Sequence, residues 1–198
     1  MTRMLLAGAA TLALLGACTQ AEQTDAKQDA DAAATAVQDA TSGVVGQTSA
    51  GVLGANTAVA FVPALAMSDM YELEAAKIAS SRSSNAGVKE LAAMITTDHT
   101  ASTAKLKAAA PAEAPDVALP TQLDERRKGL LDNLNSATNA DFDKVWLTQQ
   151  VAAHNEALTM LNGYKDNTAT PRLAALAGEI IPKVTAHRDH AQRMLDAM

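Results

Sequence analysis

The chain has one cysteine in 198 residues, Cys18, so no disulfide can form within it. Aromatic residues make up only 3%, and alanine and leucine carry most of the apolar content. Runs of β-branched residues with a period of two are absent, which removes the patterning a sheet needs. An all-helical class remains. There is no Ser–His–Asp arrangement, glycine-rich phosphate loop or cysteine nucleophile, so catalysis without a metal has no visible machinery. Positive charge is also short: 16 basic residues face 22 acidic ones, a net charge of −6. That balance disfavours nucleic acid as a partner.

The first segment stands outside the fold. Arg3 gives a positive start, and Met4 to Leu15 is an apolar run too short to span a bilayer. It ends Leu15-Gly16-Ala17-Cys18, small residues before a lone cysteine, which resembles a bacterial lipobox. In that resemblance residues 1–17 are a lipoprotein signal peptide and Cys18 is the lipidated N-terminus. The alternative is an ordinary secretory signal with an incidental cysteine. Removing residues 1–17 takes away Arg3 and no acid, moving the charge from −6 to −7. Membrane attachment then rests on lipid, not on a basic patch. Thr19 follows the cysteine where an aspartate would signal retention, so the expected address is an outer-membrane lipoprotein facing the periplasm. Residues 18–58 are rich in Ala, Gln, Asp, Thr and Gly and poor in large apolar side chains. They read as a flexible tether, with a reach on the order of 35 Å.

Residues 59–198 carry the helical patterns. A first helix is expected over about 60–82, where Glu72 falls on the seam with Leu65 and Ala79. A second is expected over about 86–109, with Leu91, Ile95, Ser102 and Leu106 as its apolar stripe and His99 inside that stripe. Pro111, Pro115 and Pro120 mark an extended connection. A short helix over about 121–135 buries Leu123, Leu130, Leu131 and Leu134. Then come a long helix over about 140–164, with Leu147, Val151, His154, Leu158 and Leu161 in steps of four and three, and a last one over about 170–196. The last has Leu173, Leu176, Ile180, Val184, His187, Ala191 and Met194 on one face, and Pro182 should kink it. Four long helices in two hairpins, joined by a crossover holding the short helix, predict a four-helix bundle.

Three histidines therefore sit on apolar seams, one on each of three helices, and Glu72 takes the seam of the fourth. A buried imidazole must find a partner. One reading is a metal layer of Glu72, His99, His154 and His187, a ligand set that suits zinc, iron, copper or manganese. Asp98 and Asp189 flank histidines and are candidates to orient them, and His190 is a candidate extra ligand. The other readings are a buried polar network that only fixes packing, and a pH sensor. Met67, Met70, Met94 and Met160 are expected to fill core gaps, with Trp146 and Phe142 as packing residues.

The succession Phe61-Val62, Tyr71-Glu72-Leu73-Glu74, Val88-Lys89-Glu90-Leu91-Ala92, Met94-Ile95-Thr96-Thr97-Asp98-His99-Thr100, Asp141-Phe142-Asp143, His154 and Ile181-Pro182 with His187 resembles a bacterial envelope family, the domain of unknown function 4142. The resemblance covers roughly residues 58–197 and implies a ferritin-like helical bundle. It implies no established activity. The family-pattern positions here are Glu72, Asp98, His99, His154 and His187. Ferritin-like di-iron sites use Glu-x-x-His, whereas Thr96, Val151 and Val184 stand three before these histidines. That argues against iron oxidation or storage. The expectation is a non-enzymatic envelope lipoprotein with a metal layer. Its rivals are a metal-dependent redox or stress-protective enzyme and a structural or partner-binding module.

Overall fold

The computed structural model describes residues 56–198. The expected signal peptide, the expected lipidation at Cys18 and nearly all of the expected tether lie outside the described residues. Five helices follow in order: α1 Ala58–Arg82, α2 Ala86–Glu113, α3 Glu125–Ser136, α4 Phe142–Tyr164 and α5 Pro171–Asp196. No strand occurs among the described residues. Helices α1 and α2 form one hairpin and α4 and α5 another; α2 packs on α5 and α1 on α4. The result is the all-α four-helix bundle expected, with α3 in the crossover. Among the described residues no helix is long and apolar enough to cross a membrane.

Local chemistry sets the helix ends. Asn85 accepts from the backbone N–H of Gly87 and Val88 to start α2, and Asp124 accepts from Arg127 N–H to start α3. Pro171 opens α5, where its missing N–H costs nothing. Helix α2 departs from expectation: it runs through Pro111 to Glu113 instead of ending near Ala109. Tertiary contacts hold that last turn. Glu113 accepts from Arg172 N–H and Leu173 N–H, both at 2.8 Å, and so caps the N-terminus of α5. Ala110 and Ala114 are buried on the same turn. Helix α3 is shorter than expected, and of its leucines only Leu134 is fully buried. Met94 is exposed rather than a core filler.

The crossover is clasped by Arg82. Its guanidinium donates to the carbonyls of Leu134, Asn135 and Ala137 at the C-terminus of α3 and lies 4.7 Å over the Phe142 ring. Trp146, fully buried, donates to Ala75 O at 3.1 Å across the α1–α4 contact.

The core is divided. One apolar cluster holds Phe61, Leu65, Leu106, Leu161, Leu173 and Val184. The other holds Tyr71, Leu91, Ile95, Trp146, Leu147 and Ala191. Between them the sequence places Asp69, Glu72, His99, Gln150, His154 and His187, every one of them buried. Unpaired polar groups in such a layer are costly, so its contents demand an account.

Candidate metal centre

The histidines of α2, α4 and α5 converge. Ring centroids lie 5.8 Å apart for His99–His154, 5.8 Å for His99–His187 and 5.4 Å for His154–His187. One ring nitrogen from each lies within 4.8 Å of the others. Helix register explains part of this. Asp69 lies thirteen residues before the end of α1 and His99 thirteen after the start of α2, so the hairpin brings them level. His187 sits sixteen residues after the start of α5, farther from the turn 165–170 than His154, which lies ten residues before the end of α4.

The second ring nitrogens fix the tautomers. His99 Nδ1 is 2.8 Å from Asp69 Oδ1, His154 Nδ1 is 2.8 Å from Gln150 O, and His187 Nε2 is 3.0 Å from Asp98 Oδ2. Carboxylates and carbonyls only accept, so each of these nitrogens carries the proton. The lone pairs then fall on Nε2 of His99, Nε2 of His154 and Nδ1 of His187. Two of these face each other: His154 Nε2 and His187 Nδ1 are 3.3 Å apart. In these tautomers neither has a proton to donate. His99 Nε2 is buried with no hydrogen-bond partner. Three converging lone pairs, with the outer nitrogens held by acceptors, is the arrangement a metal-binding histidine set requires.

Electrostatics keeps two rings in the ligating form. Burial, then the charges of His99 and His187, push His154 well below the usual histidine range. Burial and His99 hold His187 down to about 4. For His99 burial also works downward, but the Asp69 hydrogen bond and the Glu72 charge outweigh it and raise it. Burial pushes Glu72 up to about 7 against the pull of His99.

The other expected residues are placed as follows. Glu72 is fully inside the layer, but its Oε1 lies 3.7 Å from His154 Nδ1, the nitrogen that points away from the other rings. It is not among the converging atoms. Its Oε2 and both side-chain amide atoms of Gln150 are buried without a hydrogen-bond partner. Asp98 orients His187 on another helix, not its neighbour His99, and also pairs with Lys183 at 3.4 Å. Asp189 turns to Arg188 at the surface, and His190 is not in the converging set. Asp69 and Gln150 had no sequence signal beyond position. Asp69 lies one turn before Glu72 on the same face of α1, which is the one clue to it.

Comparison with known families and structures agrees with this fold. The family model for the domain of unknown function DUF4142 matches residues 44–194, and the chain belongs to that family. Comparison with curated proteins returns none that matches. A solved structure described as CopM in the Cu(II)-bound form is similar over 71% of this chain and 97% of that one, with TM-score 0.60 and 20% identity. At that identity the likeness is one of fold.

Proposed function

We propose that this DUF4142 chain is a metal-binding protein of the cell envelope, holding one divalent ion between His99, His154 and His187. The observation that carries the reading is the set of three lone pairs turned inward by Asp69, Gln150 O and Asp98, with His99 Nε2 orphaned. The donor chemistry fits a borderline ion, since all three donors are imidazole nitrogens, His99 ligating once its raised proton is released. Tetrahedral donors about 2.0 Å from one ion lie roughly 3.3 Å apart, which is the His154 Nε2–His187 Nδ1 separation of 3.3 Å. The third donor is within 4.8 Å, so closing the set takes a ring movement on the order of 1 Å. The tetrahedral spacing suits zinc, but the Irving–Williams order puts copper(II) first by affinity, and the CopM likeness, in a Cu(II)-bound form, supports trying that ion first. Zinc is the competitor.

The lipobox resemblance at Cys18 supports a lipid-anchored form whose bundle stays near the membrane at the end of a tether. The depth of the layer supports a role in binding and retaining metal: the three imidazoles are at most 5% exposed at their side chains. Elemental analysis of the full chain after copper loading and dialysis tests the reading. One ion per chain, lost in a His99→Ala/His154→Ala variant, is expected. Negligible metal in both proteins would sink it.

A further inference from the structure

A cleft in the bundle surface adjoins the three-histidine centre. It has a volume of about 70 Å³ and runs between α2 and α5, with His99 and His187 in its wall and His154 outside it. Two pairs of opposite charge cross its mouth, Lys105 with Glu179 and Lys183 with Asp98. Between them the α2 wall is made of two small residues, Ala101 and Ser102. The cleft exists because nothing larger stands there.

Ser102 is the unusual member. It is 5% exposed, and its Oγ is buried with no hydrogen-bond partner. Its neighbours on α2 behave otherwise. Thr96, Thr97 and Thr100 each donate to the carbonyl four residues back, at 2.8, 3.0 and 2.6 Å. A helical hydroxyl ordinarily makes that bond. Ser102 does not, and it stands one turn beyond His99 in the wall of the same cleft.

We propose that the metal centre takes a fourth, exogenous ligand from this cleft. The ligand is a small monodentate donor of the water, hydroxide or small-anion class, and it accepts a hydrogen bond from Ser102 Oγ. This rests on the metal reading above. Three protein donors with an open fourth position is the arrangement that admits an outside ligand, whereas a structural site is closed by four. Glu72 does not fill the position from the other side, because it faces the outer nitrogen of His154.

The test is a titration of the copper(II)-loaded full chain with azide, following the azide-to-copper charge-transfer absorption and the copper EPR signal, with copper content read in each sample. A saturable new band is expected. Ser102→Ala should weaken azide binding by about tenfold through loss of a hydrogen bond to a charged ligand. Ser102→Leu should plug the cleft and remove the band from copper that is still bound. Copper bound without any azide response would overturn the open position alone. Equal azide affinity in wild type and Ser102→Ala would overturn the role of Ser102. A chain that takes up no copper would overturn this inference together with the reading beneath it.

Discussion

Asp69 Oδ1 stands 2.8 Å from His99 Nδ1, and its second oxygen accepts from Thr103 Oγ1 at 3.1 Å. The carboxylate is fully buried and fixes both the tautomer and the orientation of the ring. Asp69→Asn is expected to lower copper(II) affinity about 10- to 100-fold with one ion still bound at saturation. Asp98→Asn should cost less, because Asp98 is 24% exposed at its side chain and water can stand in for it. Competition titration against a chelator measures both. Equal affinities for wild type and Asp69→Asn would reduce that pair to packing.

Metal affinity should depend on pH in two stages. His154 and His187 are held neutral at pH 7, while His99 is raised and must give up its ring proton to ligate. Above the raised value of His99, affinity is flat. Below it, affinity falls by roughly tenfold per pH unit as metal and proton compete. The slope steepens near pH 4, where His187 begins to protonate. Proton release on copper binding, measured in weakly buffered solution, checks the first stage.

Glu72 gives a separate pH signature in the metal-free chain. Its pKa is raised from 4.5 to about 7 by burial, so the native state holds this proton more tightly than the unfolded chain does. Stability on its account is therefore full below pH 4.5 and falls as pH rises through 7. Glu72→Gln removes the loss. Urea unfolding should show the variant more stable than wild type by up to about 3 kcal/mol at pH 8 and equal to it at pH 4. A constant difference at both values would place the cause elsewhere.

Arg82 anchors the crossover by donating to three carbonyls at the end of α3. Arg82→Ala should destabilise the fold by about 1–3 kcal/mol, since it removes charge-assisted hydrogen bonds from a half-buried helix terminus. The site lies in the middle of the bundle, away from this corner, so copper affinity should stay within about twofold. Chemical denaturation and copper titration of the same variant separate the two effects.

Periodicity made the helices legible. Leu147, His154, Leu158 and Leu161 on α4, and Leu173, Ile180, Val184 and His187 on α5, lie buried as their spacing requires. Three histidines on three seams do converge, while Glu72, expected with them, stays outside the converging set. What the pattern could not supply was reach between helices. Asp69 gives no sign of pairing with a histidine thirty positions away. Asp98 reads as a partner for its neighbour, yet the helix turns it toward α5. Pro111 reads as a break, and only the contact between Glu113 and the start of α5 explains why the helix continues. These are tertiary relationships, and a local pattern carries no record of them.

The most direct measurement is diffraction from crystals of the copper-loaded full chain, collected on both sides of the copper absorption edge. A single anomalous peak bounded by His99 Nε2, His154 Nε2 and His187 Nδ1 is the predicted result. A peak at exposed residues only, or no peak in the layer from crystals whose copper content is confirmed, would contradict it.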